Sequence, residues 1–275
     1  MKLIDIGINL MNSSYDRDRD EVVKNAALAG ISPLVITGSG ERSSLDAALY
    51  ARAHNRIRPG ALYSTAGIHP HEAKNCGNNS IGFLRELSAD KTEGPSVVRA
   101  VGECGLDYNR DFSPRDVQRT WFAKQLELAA QTGKPVFLHE RDAFPDFSAI
   151  LKERLPSLKN AVIHCFTGGE KELEGYLEMG CFIGITGWIC DERRGGHLKR
   201  LVSKIPSERL MLETDAPFLL PRDLKGPSRG GKSGRNEPRY LVHIAQTLAK
   251  SLGKDAETLA AETFANTCRF FEIEI

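Results

Sequence analysis

Short apolar runs recur along the whole chain, and longer segments with helical periodicity separate them. Runs of this length and continuous hydrophobicity predict strands that are buried on both faces, as in a parallel sheet. The alternation predicts successive βα units, and eight units favour a closed (β/α)8 barrel of the TIM type over an open, doubly wound sheet. The predicted strands are Leu3–Asn9, Pro33–Thr37, Leu62–Gly67, Val97–Glu103, Pro135–His139, Ala161–His164, Cys181–Thr186 and Arg209–Glu213.

Four segments carry the helical pattern most clearly. In Asp18–Ala29, for example, Val22, Val23 and Ala26 fall on one face of a helix. No shift in composition and no Gly/Ser-rich linker divides the chain, so we expect a single domain over residues 1–275. The other three predicted helices are Pro114–Thr132, Arg239–Leu252 and Asp255–Phe271.

The composition sets limits on the function. With 41% hydrophobic residues among 275, the chain can bury a sizeable core. Its formal net charge is +1, so no strong overall field attracts it to nucleic acid or anionic lipid. This balance counts against a nucleic-acid-binding module. It leaves open an enzyme that takes the end of a strand into one pocket.

The cysteines and the amino-terminal residues indicate the compartment. Six cysteines are scattered along the chain without a Cys-x-x-Cys pair, which is typical of free thiols in a reducing compartment. A charge at Asp5 interrupts the first residues before a signal-peptide apolar region can form. The longest uncharged apolar-leaning stretch, Met179–Cys190, is too short to span a bilayer. We therefore expect a cytoplasmic protein that does not enter a membrane.

Ionisable residues follow or end several of the apolar strands. They are His69, Glu103, His139, His164 and Asp215. In a barrel of this type the carboxyl ends of the strands converge on one face, so these side chains are expected to meet in one pocket. A single buried histidine is more often a core group than a ligand. Several ionisable groups buried together without partners would be costly, which favours a common site.

Glu103, His139, His164 and Asp215 provide the donors for a divalent metal site with mixed nitrogen and oxygen ligands. Such a metal neutralises charge on a phosphoryl oxygen and makes a bound water more acidic, and Asp215 can accept the proton. Strand alternation directs Cys104 and Cys165 away from the pocket, as packing residues. His54, His71, His197 and His243 lie outside the strand ends and are expected on loops or at the surface.

Basic residues follow the last two predicted strands. Arg193 and Arg194 come after the seventh strand, and the segment Pro221–Arg239 after the eighth contains six Lys or Arg residues. A charge run is often only a solvated loop, but barrel enzymes commonly bind phosphate after the eighth strand. The candidate phosphate-binding residues are Arg193, Arg194, Arg222 and Arg235. Tyr108, Phe166, Trp188 and Phe218 are candidates either for stacking on a terminal base or for packing.

An ordered set of motifs over nearly the whole chain resembles the TatD family of metal-dependent deoxyribonucleases, within the amidohydrolase-like barrels. Each motif alone is weak, whereas the set in this order is highly specific. The motifs are Gly67–His71, Gly102–Asp107, His139–Arg141, His164–Gly168, Gly184–Trp188, Glu213–Pro217 and Arg235–Pro238.

The resemblance implies metal ligation by Glu103, His139 and His164, with Asp215 as catalytic acid/base and possible fourth ligand. It implies that His69 holds the scissile phosphate or protonates the leaving oxygen. The implied activity is Mg²⁺-dependent hydrolysis from the 3′ ends of single-stranded DNA and RNA. It also implies a monomer that needs no obligate protein partner.

The first strand departs from the pattern of many relatives. They carry Asp-x-His-x-His there, whereas this chain has Gly7 and Asn9 in place of the two histidines. The remaining ligand set is richer in oxygen, which favours Mg²⁺, or Mn²⁺, over Zn²⁺.

Two alternatives stay open at this point. One is a related barrel hydrolase acting on an amide, lactone or phosphotriester. Such enzymes often use a carbamylated lysine at a strand end, but the fourth strand here ends in Glu103. The other is a non-catalytic binding protein, against which the full set of acids and imidazoles at the strand ends argues.

Overall fold

Eight parallel strands form one sheet in sequence order, as the apolar pattern predicts. The computed structural model describes residues 1–92, 94–224 and 234–274. The first strand meets the residues after the last, because the amide of Asn9 donates to the carbonyl of Ala216 at 2.8 Å and that of Asp215 to Gly7 at 2.9 Å. The sheet therefore curls into a nearly closed (β/α)8 barrel.

The strands keep close to their predicted positions. They are β1 Leu3–Ile8, β2 Ile31–Ile36, β3 Leu62–Ala66, β4 Val98–Asp107, β5 Val136–Arg141, β6 Ala161–Ile163, β7 Phe182–Ile185 and β8 Leu210–Leu212. The main difference is β4, which continues beyond the predicted end at Glu103 because Cys104–Asp107 pairs with Leu138–Arg141 of β5. β6 ends one residue earlier than predicted.

Helices connect successive strands and surround the barrel. They are α1 Arg19–Leu28, α2 Glu41–Asn55, α3 Ser80–Ala89, α4 Arg115–Thr132, α5 Phe144–Arg154, α6 Glu170–Glu178, α7 Leu198–Leu201, α8 Leu241–Leu252 and α9 Ala256–Phe271. α4 ends at Gly133, whose φ of 63° is a conformation that glycine adopts without strain. Among the described helices, none combines the length and apolarity needed to cross a bilayer.

Two apolar layers stabilise the fold. The larger lies between the strands and the surrounding helices. The smaller fills the barrel and combines inward-facing strand residues with the end of α9. Phe270 packs edge-on against Phe182, the first residue of β7, with 5.2 Å between the ring centroids. α9 therefore closes the barrel at the amino ends of the strands and leaves the carboxyl ends free for chemistry.

Candidate active site

Glu103 lies among three imidazoles at the carboxyl ends of the strands. Its Oε1 is 2.9 Å from Nδ1 of His139, 3.4 Å from Nε2 of His69 and 3.6 Å from Nε2 of His164. Burial alone would raise the pKa of Glu103, but the neighbouring imidazoles hold it well below its usual range. β4, β5 and the residues after β3 and β6 thus bring together groups that are far apart in sequence.

His69 follows β3 and caps a short 3-10 helix at Pro70–Asn75. Its Nδ1 accepts a hydrogen bond from the backbone N–H of His71 at 3.1 Å, so Nε2 carries the proton and faces Glu103. Burial lowers the pKa of His69 to about 3, against the opposing charge of Glu103. A neutral imidazole therefore presents an N–H donor to the site.

Asp215 lies in the same pocket, three residues after β8. Its Oδ1 accepts a hydrogen bond from the side-chain amide of Asn9 at 2.9 Å and is 3.9 Å from Nε2 of His164. Burial raises the pKa of Asp215 to about 7; the charge of His164 opposes this rise and that of Glu103 adds to it. A carboxyl group with this pKa can accept or donate a proton near neutrality.

Glu213 is a buried partner of His164 that the sequence analysis quoted only as part of a motif. Its Oε2 is 2.5 Å from Nδ1 of His164, and its Oε1 accepts from the amide of Cys165 at 2.5 Å. A Cβ at Gly7 would lie 2.7 Å from Oε2 of Glu213, and a Cβ at Gly184 would lie 2.5 Å from Oε1. The two glycines on β1 and β7 leave space for a carboxylate that directs Nε2 of His164 into the site.

Asp107, at the end of β4, is a second carboxylate that contacts imidazoles of the site. Its Oδ2 is 2.7 Å from Nε2 of His71 and 3.4 Å from Nε2 of His139. His71, expected on a loop, instead lines the pocket. The sequence already indicated a site role for Asp107, because this residue ends the apolar run that contains Glu103.

The expectation for one of the two cysteines beside the strand ends is wrong. Cys104 is buried in the layer between strands and helices, as strand alternation predicts. Cys165, however, lines the pocket, and its sulfur lies within 4.8 Å of ligand atoms of His164 and Asp215. Because β6 ends at Ile163 and Cys165 has a φ of 48°, strand alternation does not extend to it.

The pocket is a cavity of about 550 Å³, large enough for a nucleotide. Arg141, Arg194 and Trp188 lie on one side, with the guanidinium carbons 5.9 and 5.6 Å from the centroid of the indole ring. These three residues also line a second cavity of about 530 Å³ beside it. Phe218 lines the first cavity and Phe166 the second, whereas Tyr108 lines neither.

The structure separates the four arginines predicted to bind phosphate. Arg194 lines the pocket. Arg193 and Arg222 both approach Asp191, at 3.4 and 3.8 Å. Arg235 does not line the pocket. Its guanidinium instead donates to the carboxylate of Asp18 at 2.8 and 2.6 Å and to that of Glu237 at 2.9 Å. Lys225, Arg229 and Lys232 lie outside the described residues.

The donor set fits a divalent cation. Ligand atoms of Glu103 and His139 lie within 4.8 Å of one another, and so do ligand atoms of His164 and Asp215. Nε2 of His139 is buried and has no hydrogen-bond partner within the described part of the chain, although Asp107 Oδ2 is 3.4 Å away. A buried imidazole nitrogen of this kind is available for a metal.

A (β/α)8 barrel with imidazoles and carboxylates gathered at the carboxyl ends of its strands defines the class of metal-dependent hydrolases. Within that class the chain belongs to the family of TatD related DNases, whose model matches residues 4–272. The resemblance seen in the motifs is confirmed, and the protein is a nuclease-family hydrolase.

Curated relatives and solved structures agree with this assignment. The 3′-5′ ssDNA/RNA exonuclease TatD of Erwinia tasmaniensis is 50% identical over 98% of this chain and 100% of its own length. The protein of the same name from Klebsiella pneumoniae is 45% identical over 99% of both chains. A TatD-family hydrolase from Entamoeba histolytica superposes with a TM-score of 0.87 at 24% identity, over 100% of this chain and 99% of that chain, which supports the fold.

Proposed function

We propose that the protein is a Mg²⁺-dependent 3′-5′ exonuclease of single-stranded DNA and RNA. The observation that carries this proposal is the placement of the Glu103 carboxylate among three imidazoles beside Asp215, in a pocket flanked by arginines. The relatives named 3′-5′ ssDNA/RNA exonuclease supply the polarity and the class of nucleic acid.

In this proposal Glu103, His139 and His164 hold the cation, with Asp215 as a possible fourth ligand. The bound cation neutralises charge on a phosphoryl oxygen and makes water more acidic. Gly7 and Asn9 offer no imidazole, so Mg²⁺ or Mn²⁺ is favoured over Zn²⁺.

The chain's own residues orient the phosphate and move the proton. His69, as a neutral imidazole, donates a hydrogen bond from its Nε2–H to the scissile phosphate or the leaving oxygen and keeps its proton. Asp215, held by the amide of Asn9, accepts a proton from the attacking water. Arg194 and Arg141 bind neighbouring phosphates, and Arg193 and Arg222 add positive charge after β7 and β8.

The pocket favours the end of a single strand over a continuous duplex. Trp188, Arg141 and Arg194 line both adjoining cavities, so a terminal base can stack there while the guanidinium groups hold phosphates.

The experiment is digestion of a 5′-labelled single strand in Mg²⁺, with product length followed over time. Progressive loss of single nucleotides and a stall at duplex are expected. Glu103→Gln should nearly abolish cleavage without lowering the Tm, whereas Glu21→Gln on the exposed side of α1 should cleave normally. Efficient cutting of a circular single strand would show an endonuclease and overturn the proposal.

A further inference from the structure

A second cluster of metal-ligand side chains lies outside the pocket. Cys190 ends a 3-10 helix after β7, Asp223 follows β8, and His243 lies in the first turn of α8. One ligand atom from each lies within 4.8 Å of those from the other two. None of the three lines the catalytic cavity. Three distant segments thus bring a thiol, a carboxylate and an imidazole together.

We propose that Cys190, Asp223 and His243 form a second metal site of the zinc type, with three protein ligands. Sulfur, nitrogen and oxygen donors are the set that Zn²⁺ and Co²⁺ accept, while Mg²⁺ prefers oxygen alone. The proposed catalytic ligands Glu103, His139 and His164 include no thiol, so ligation by the sulfur of Cys190 distinguishes this site.

The alternative is an ordinary ion pair beside a buried cysteine, since Nε2 of His243 is 2.6 Å from Oδ1 of Asp223. Such a pair does not require a thiol. Cys190 is fully buried, yet its sulfur lies within 4.8 Å of ligand atoms of both Asp223 and His243. Cys190 also packs in the apolar layer between strands and helices, but that packing does not by itself require a carboxylate and an imidazole beside the thiol.

The protonation of Cys190 makes the proposal testable. Burial raises the pKa of this thiol to about 12, so it stays neutral in the absence of metal. Binding replaces the thiol proton by the metal and releases that proton to solvent. Any thiolate signal from Cys190 near neutrality therefore depends on the metal.

The metal would fix the two loops that approach the substrate. Cys190 lies two residues after Trp188 and directly before Asp191, which contacts Arg193 and Arg222. Joining these residues to α8 holds the segments after β7 and β8 in one position. This positioning role rests on the proposed function, whereas the existence of the site does not.

The experiment is a Co²⁺ titration of the metal-stripped full chain, followed by absorption. A near-ultraviolet thiolate-to-cobalt charge-transfer band is expected. It should be lost in Cys190→Ser and kept in Cys181→Ser, which changes a buried cysteine directly before β7. Cys165→Ser is the decisive control because Cys165 lies in the catalytic pocket. Persistence of the band in Cys190→Ser, its loss in Cys165→Ser, or its absence from the unaltered protein would overturn the proposal.

His243→Asn provides a second test that does not disturb a buried residue, since the side chain of His243 is 27% exposed. This variant should bind one Co²⁺ fewer per chain and should lose the rise in Tm that Zn²⁺ gives the unaltered protein. Equal stoichiometry and an equal rise in Tm would contradict the site. Neither measurement involves nucleic acid, so a failure here is distinct from a failure of the proposed nuclease activity.

Discussion

Replacing Gly7 with alanine tests how the site accommodates Glu213. The added Cβ would lie 2.7 Å from Oε2 of Glu213, 3.1 Å from Cζ of Phe137 and 3.3 Å from Nδ1 of His164. All three neighbours are themselves buried, so the first contact cannot be relieved by a small rotation into solvent. The methyl group therefore pushes the Glu213 carboxylate away from the imidazole that it orients.

The size of the effect follows from the packing. Overfilling a packed interior costs about 1–3 kcal/mol. For a chain of this length, each kcal/mol lowers the Tm by about 2–3 °C, so Gly7→Ala should lower it by about 2–9 °C. Displacing the carboxylate that holds a ligand histidine should also reduce activity about 10–100-fold. A histidine at position 7 would meet the same obstacle at its Cβ.

The assay is a thermal melt together with the rate of nuclease cleavage at saturating Mg²⁺. Gly82→Ala is the matched control, because its Cβ would meet nothing within 4 Å and it lies inside α3. There the same change should stabilise the protein by about 0.5–1 kcal/mol through helix propensity. If Gly7→Ala melts and cleaves like the unaltered protein, the packing argument around Glu213 is wrong.

Four further outcomes are expected. Glu213→Gln should lower activity about 10–100-fold with little change in substrate affinity, and an unchanged rate would remove Glu213 from the site. Mg²⁺ or Mn²⁺ should support faster cleavage than Zn²⁺ in a metal-replacement series; equal rates with Zn²⁺ would reveal missed nitrogen ligands. The cleavage rate should rise as the pH passes through about 7. Burial raises the pKa of Asp215 to about 7, and Asp215 acts as a base only when it is unprotonated. Asp215→Asn should remove this rise from the pH–rate profile. Arg194→Ala should raise KM, whereas Arg235→Ala should lower the Tm and leave KM unchanged.

The strand ends could be predicted because burial restricts what an apolar run can contain. Glu103, His139 and His164 stand out as ionisable residues that end runs of this kind, and the barrel brings both imidazoles within 3.6 Å of the Glu103 carboxylate. Their positions required only the periodicity of strands and the rule that parallel strand ends converge.

Partnerships between distant residues could not be predicted in this way. Arg235 looked like a free cation in a basic loop, but Asp18, more than 200 residues earlier, binds it bidentately. The role of Glu213 depends on the space left by Gly7 on β1 and Gly184 on β7. Such pairings depend on three-dimensional packing, which a single sequence does not display.

The contact of α9 with the barrel interior determines when the barrel can close during synthesis. Phe270, Phe271 and Ile273 pack with the inward-facing residues of the strands at the end opposite the chemistry. A nascent chain extended to Asp215 already holds His69, Glu103, His139, His164 and Asp215, but its barrel is open at the base. The apolar interior is sealed from water only after α9 has left the ribosome, so full metal affinity should develop after that point.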